Sequence, residues 1–103
     1  MDIIRSREFT GLLARDALDI ASMNGITTPL HWKDQPCKWH ENDGAEVFAV
    51  LDGSVHMFYR ENGVETSVDL AVGDIFYASV GTEHYAHPEG EARILVIESA
   101  GSV

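Results

Sequence analysis

Several features are scarce in this sequence, and each shortage excludes a class of protein. Its 103 residues include one cysteine, Cys37, so no disulfide can form within the chain and Cys37 is expected to be a small packing residue. No apolar run approaches the roughly 20 residues that a membrane-spanning helix needs. The opening residues 1–9 lack the apolar segment and cleavage site of a secretory signal peptide. We therefore expect a protein of the reducing cytoplasm with no membrane partner.

Positive charge is also scarce. The chain has 7 Lys and Arg residues against 17 Asp and Glu residues, which gives a formal net charge of −10. This field repels nucleic-acid phosphates and anionic membrane surfaces alike. We expect no nucleic-acid partner, and a small molecule is the expected ligand or substrate.

Hydrophobic residues, in contrast, make up 45% of the chain, which is enough for a folded core. The length predicts one domain over residues 1–103. Two Asn-Gly pairs, Asn24-Gly25 and Asn62-Gly63, are strong signals for tight hairpins. They predict that residues 17–23 pair with 26–32, and that residues 54–60 pair with 64–70. Further strands are predicted at residues 46–51, 74–79 and 92–99, so the expected class is all-β.

The N-terminal part is less regular. Residues 9–16 predict a short helical turn capped by Thr10, although Gly11 weakens it. A helix over residues 10–24 is compatible with the Leu and Ala content, but the Asn-Gly turn followed by Ile26 and Thr27 favours the hairpin. Pro29 predicts that its strand lies at an edge or carries a bulge.

Two segments place chemically capable side chains on strands. His40 and Asn42 are two residues apart, so on a strand they project from the same face. A bend at Asp43-Gly44 can return Glu46 toward His40, and a turn leads to His84. Two imidazoles and a carboxylate from separate strands can present a divalent ion with open coordination positions.

These segments resemble the two motifs of the cupin superfamily, G-x5-H-x-H-x3,4-E-x6-G and G-x5-P-x-G-x2-H-x3-N. The matching spacing in the first segment is carried by His40, Asn42, Glu46 and Gly53, and in the second by Gly73, Ser79, Gly81 and His84. The departures are Asn42 for a histidine, Ser79 for the proline, Pro88 for the asparagine and Asp34 for the opening glycine. The tail, residues 90–103, is similar to the closing strand of small bacterial single-domain cupins, which are often labelled mannose-6-phosphate isomerase-like.

The resemblance implies a double-stranded β-helix, the cupin or jelly-roll barrel, and a homodimer. In cupins three histidines and a glutamate hold iron, manganese, nickel or zinc. Carried over, the ligands here are His40, Glu46 and His84, with Asn42 as a further amide-oxygen ligand or as a group that holds water or substrate. This interpretation predicts a divalent metal centre with oxygenase, isomerase or lyase chemistry on a small polar molecule.

Two alternatives remain open. One is a non-catalytic module that binds or senses a sugar or acid through a degenerate metal site without an ion. The other is a metal-free epimerase in which a histidine is the base and Tyr77 or Tyr85 the acid.

Other side chains are assigned around the site. Phe48, Val50 and Tyr77, together with Phe76, are expected to form its apolar walls. The remaining histidines are expected outside it: His31 packed beside Trp32, His56 on the surface or in the barrel wall, and His87 on the opposite face from His84.

Overall fold

The computed structural model describes residues 1–12 and 15–101, which form one 3₁₀ turn and nine strands. The 3₁₀ turn is Ser6–Glu8, and the strands are β1 (Arg15–Met23), β2 (Ile26–Lys33), β3 (His40–Glu41), β4 (Glu46–Asp52), β5 (Val55–Glu61), β6 (Val64–Leu70), β7 (Ile75–Ala78), β8 (Glu83–Pro88) and β9 (Ala92–Ser99). In the part of the chain so described, no helix has the length and apolar character needed to cross a membrane.

The strands form two antiparallel sheets. One has five strands in the order β1-β2-β9-β4-β7, and the other has four in the order β3-β8-β5-β6. Both sheets contribute side chains to one buried core, whose members are Phe48, Val50, Val55, Met57, Leu70, Ala78, Ala86, Ala92, Ile94 and Val96. This is the predicted all-β, double-stranded β-helix.

Both Asn-Gly hairpins are confirmed. Asn24 and Gly25 have φ of 51° and 79°, and Asn62 and Gly63 have 51° and 76°. Positive φ at both central residues defines a turn whose twist matches that of the flanking strands. The alternative helix over residues 10–24 is excluded, since β1 begins at Arg15.

The strand that contains Pro29 is not an edge strand, because β2 lies between β1 and β9. A bulge lies beside Pro29, but in the neighbouring strand: the β1–β2 register shifts between Asp19 and Ser22, opposite Pro29 and Thr27, so the extra residue belongs to β1 and not to the strand of Pro29. Proline donates no hydrogen bond, and the extra residue in β1 accommodates the missing ladder bond.

The helical turn lies earlier than predicted. It is a 3₁₀ turn over Ser6–Glu8, where Glu8 and Phe9 donate backbone hydrogen bonds to Arg5 and Ser6. Phe9 to Leu12 are not helical, and residues 13 and 14 of the predicted turn lie outside the described residues. Thr10 instead accepts a hydrogen bond at its hydroxyl from the Arg93 guanidinium, at 3.2 Å, and Arg93 also donates to the Phe9 carbonyl at 2.8 Å.

Candidate metal centre

The register between strands determines which side chains face the space between the sheets. In the pairing of β2 with β9, His31 lies opposite Ile94 and Lys33 lies opposite Ala92. Ile94 and Ala92 belong to the core, so His31 and Lys33 face inward as well. They line a cavity of about 180 Å³ together with His40, Glu46, Phe48, Val96 and Glu98.

His84 lies beside this cavity on β8. Its Cα is paired with that of His40 on β3, and the two ring centroids are 4.3 Å apart. The ring is 1% exposed, and burial, followed by the neighbouring His40, lowers the pKa of His84 to about 4. His84 is therefore neutral at pH 7. Its Nδ1 lies 3.3 Å from the Thr82 carbonyl and donates to it, while the buried Nε2 has no hydrogen-bond partner.

Asn42 fixes the turn that precedes His84. Its side-chain Nδ2 donates to the carbonyls of Ala78, at 3.0 Å, and Ser79, at 3.4 Å. Its backbone donates to Thr82 and accepts from Gly81. Asn42 thereby ties the end of β3 to the loop between β7 and β8, which holds His40 opposite His84. The amide Oδ1 is buried and has no hydrogen-bond partner.

Glu46 and Glu98 form a carboxyl pair at the cavity wall, opposite each other on β4 and β9. Glu46 is 3% exposed, and burial, followed by the charge and hydrogen bond of Glu98, raises the pKa of Glu46 to about 7. Burial also raises the pKa of Glu98. The two carboxyls therefore share a proton near neutral pH, while Glu46 Oε1 has no hydrogen-bond partner.

The raised pKa of Glu46 predicts a pH-dependent stability. The folded protein holds this proton more tightly than the unfolded chain, so the stabilisation is complete below pH 4.5 and is lost as pH rises through about 7. Between pH ~5 and pH ~8, we expect the free energy of unfolding of the metal-free wild-type protein to fall by ~2 kcal/mol more than that of Glu46→Gln. Urea unfolding of both proteins at both pH values measures the difference. The opposing contribution of His31 and His84 cancels, because both histidines are present in each protein. Parallel pH profiles for the two proteins would contradict the shared proton.

The predicted apolar walls are only partly as expected. Phe48 lines the cavity, and Val50 lies in the core behind it. Phe76 pairs with Phe48 across the β4–β7 ladder and lies 6.0 Å from the His84 ring, centroid to centroid. Tyr77 does not line this cavity; it is 64% exposed because it points to the opposite face from Phe76. The expectation that Tyr77 forms a wall of the site is therefore wrong.

Of the predictions for the three histidines outside the motif positions, one is wrong. His87 is exposed, on the opposite face of β8 from the buried His84. His56 lies on the outer face of β5 and contacts Asp69. His31, expected to pack beside Trp32, instead lines the cavity, and burial followed by the charge of Lys33 lowers its pKa to about 4. Sequence reasoning thus missed His31, Lys33 and Glu98, which reach the site through the pairing of β9 with β2 and β4.

The ligand atoms of the predicted metal residues are not tightly gathered. Within residues 1–12 and 15–101, His56, Asp69 and Glu89 are the three such side chains whose ligand atoms all lie within 4.8 Å of one another. His40, Glu46 and His84 are more widely spread, so an ion between them would require side-chain rotations. Their donor chemistry, two imidazoles, a carboxylate and an adjacent amide oxygen, nevertheless fits a divalent transition metal.

The fold is shared with solved structures from several bacteria. A cupin-2 domain containing protein from Shewanella frigidimarina is 28% identical, with a TM-score of 0.73 over 82% of this chain and 79% of that one. TT1209 from Thermus thermophilus is 21% identical, with a TM-score of 0.77 over 96% and 97%. HEPD from Streptomyces albus, solved with 2-hydroxyethylphosphonate and Fe(II), is 20% identical, with a TM-score of 0.73 over 85% of this chain and 22% of that one.

No protein-family model matches the sequence, and no curated protein resembles it closely enough to count as a match. The family assignment therefore depends on the structure and on the residues it brings together. The structure shares its fold with the cupin neighbours, and the motif residues His40 and Glu46 line the cavity, with the His84 ring beside His40. On this fold and these likenesses, the chain is a member of the cupin superfamily.

Proposed function

We propose that the chain binds a divalent transition-metal ion through His40, Glu46 and His84, and that this centre acts on a small polar molecule. The observation that carries the proposal is a set of three buried polar atoms without hydrogen-bond partners: His84 Nε2, Glu46 Oε1 and Asn42 Oδ1. All three occupy positions that correspond to the cupin motif. Each can donate a lone pair to a cation.

The energetics favour a ligand at these atoms. A buried acceptor without a partner costs about 1–3 kcal/mol, and a cation that binds these atoms after side-chain rotation would relieve that cost. His84 is already in the form that a metal requires, because its Nδ1 proton is directed to the Thr82 carbonyl. That outer hydrogen bond fixes the tautomer and the ring orientation of a metal-binding histidine.

When bound, the ion would supply Lewis-acid or oxygen-activating chemistry. The cavity side chains have separate roles in the proposal. Lys33 supplies a positive charge that attracts an anionic group, and Glu98 holds or accepts a proton beside Glu46. Phe48 and Val96 exclude water from one wall. A volume of about 180 Å³ limits the substrate to a small molecule. The small phosphonate in the Fe(II)-bound structure of HEPD supports this size class.

A second candidate function is non-catalytic binding of a small acid. It is favoured by the spread of His40, Glu46 and His84 and by the shared proton of Glu46 and Glu98, which satisfies part of the site without an ion. Metal content separates the two candidates, because only the first requires an ion for ligand binding. Purification without a histidine tag and metal analysis by mass spectrometry tests it.

Replacing Asn42 by histidine is expected to strengthen metal binding. The change would supply an imidazole nitrogen, which binds transition metals better than an amide oxygen does. We expect affinity for Zn²⁺ to rise about tenfold, equivalent to ~1.4 kcal/mol, partly offset by weaker contacts to Ala78 and Ser79. Calorimetric titration with Zn²⁺ measures the affinity, and only the binding that is absent from the His84→Ala variant is counted. An unchanged or weaker affinity in folded Asn42→His would contradict a role for Asn42 beside the ion.

We also propose a homodimer. The strand β1 is a nine-residue sheet edge, and it exposes 36% of Leu18, 40% of Ile20 and 60% of Met23. An apolar edge of this length is commonly covered by pairing with another chain. We expect sedimentation velocity at micromolar concentration to show a dimer, which Ile20→Lys would weaken. A wild-type monomer under these conditions would contradict the dimer without affecting the fold.

A further inference from the structure

A second group of metal-binding side chains lies on the outer face of the four-stranded sheet. On β5, Val55 and Met57 face the core, so His56 between them faces outward. Asp69 on β6 lies directly opposite His56 in the β5–β6 pairing. Glu89 follows the end of β8, which is the other neighbour of β5. The outer face thus brings three elements to one end of β5.

Several contacts hold these side chains in place. His56 Nδ1 contacts Asp69 Oδ1, and the His56 ring packs edge-on against Phe58, with centroids 4.7 Å apart. The backbone amide of Glu89 donates to the Ser54 carbonyl at 3.0 Å, and the Ser54 hydroxyl donates to Glu89 Oε2 at 3.3 Å. The site therefore has a fixed imidazole and a tethered carboxylate.

The charge of the group is not balanced by a basic side chain. Elsewhere, Asp52 pairs with Arg93 at 2.7 Å and Glu83 pairs with Arg60 at 2.6 Å. For the residues that the structure describes, no Lys or Arg forms an ion pair with Asp69 or Glu89. The carboxylates of Asp69 and Glu89, which lie beside the imidazole of His56, can therefore attract a cation from solution.

From this geometry we propose a second divalent-metal site, of the Zn²⁺ class, formed by His56, Asp69 and Glu89. One ligand atom from each side chain lies within 4.8 Å of the others, close enough for one ion to contact all three. Imidazole with carboxylate favours Zn²⁺ and related transition metals over Mg²⁺ or Ca²⁺, which prefer oxygen ligands alone.

The test separates this site from the interior one. In the His84→Ala protein, which lacks a ligand of the interior centre, calorimetric titration with ZnCl₂ is expected to show one Zn²⁺ bound per chain. Adding His56→Ala is expected to weaken that binding at least tenfold. Asp69→Asn is expected to weaken it similarly, since a neutral amide replaces a charged ligand. Circular dichroism verifies that each variant is folded.

The control removes charge without removing a ligand. Glu65→Gln takes the same charge from the outer face of β6, four residues from Asp69. If Asp69→Asn and Glu65→Gln weaken Zn²⁺ binding equally, the chain attracts cations only through its net charge and the site is refuted. It is likewise refuted if His84→Ala binds no Zn²⁺, whatever the outcome at the interior centre. Loss of affinity in His56→Ala and Asp69→Asn alone, with Glu65→Gln unchanged, supports it.

Discussion

Gly53→Ala is expected to destabilise the protein by more than ~3 kcal/mol, a large part of the 5–15 kcal/mol typical of a small domain. Gly53 ends the first motif and has φ of 77° in the turn between β4 and β5. A side chain at this φ costs about 1–2 kcal/mol by itself. A Cβ would also lie 2.3 Å from the Glu91 carbonyl oxygen and 3.1 Å from the Ala92 Cα. Both atoms belong to the backbone of a neighbouring segment, so relief requires moving the start of β9.

Gly63→Ala is the matched control. Gly63 has φ of 76°, but a Cβ there would meet no atom within 4 Å. The free energy of unfolding of Gly63→Ala is therefore expected to fall only by the backbone strain, about 1–2 kcal/mol. Urea unfolding of the two variants gives the difference directly. Equal losses would show that the approach of Glu91 to Gly53 contributes nothing, and that this glycine serves the turn alone.

Adding metal is expected to raise the thermal stability of the wild-type protein strongly. An ion that binds only the folded state, at a concentration 100 times its dissociation constant, adds about 2.7 kcal/mol. For a domain of this size that corresponds to a rise in Tm of roughly 10–20 °C. Calorimetric melting with Zn²⁺ or Mn²⁺, against the same protein with EDTA, measures the rise.

The variant His84→Ala is expected to lose most of that rise, because it removes the buried Nε2 ligand. His87→Ala is the control, since it removes an exposed histidine three residues along the same strand. A rise of the same size in His84→Ala and wild type would place the stabilising ion elsewhere. The full rise in His87→Ala distinguishes a ligand effect from a general loss of imidazole.

The hairpins could be predicted because their signals are local. Asn24-Gly25 and Asn62-Gly63 can adopt positive φ without help from distant residues, and the strands beside them followed. The strand over residues 92–99 was also predicted with its full bounds, since a long β-branched and aliphatic run needs no partner to be recognised. The strand β8, in contrast, was recognised only as the end of a turn. Its sequence, Glu83 to Pro88, mixes polar and aromatic residues, and its pairing with β3 and β5 stabilises it as a strand.

The composition of the cavity depended on long-range register. Both neighbours of His31 in β2, Leu30 and Trp32, are buried, so the alternation along this strand would place His31 on the face away from the core. The side that His31 occupies follows only from its pairing with Ile94. Glu98 could be placed beside Glu46 only once β9 was known to lie next to β4.

The error at Tyr77 has a similar origin. The strand Ile75–Ala78 has apolar residues at each position, so its pattern does not indicate the buried face. The pairing of Phe76 with the buried Phe48 decides it. The role of Asn42 was equally out of reach, because its hydrogen bonds go to carbonyls 36 and 37 residues away.

The central claim, that His84 Nε2 binds a metal ion, is tested most directly by the histidine ring signals in a long-range ¹H–¹⁵N NMR spectrum. Mutants assign the signals, and spectra are compared in metal-free protein and after stepwise addition of Zn²⁺. We predict that His84 Nε2 shifts to the position of a metal-bound nitrogen while Nδ1 remains protonated on the Thr82 carbonyl. A spectrum in which the His84 ring is unchanged at saturating Zn²⁺ would contradict the account.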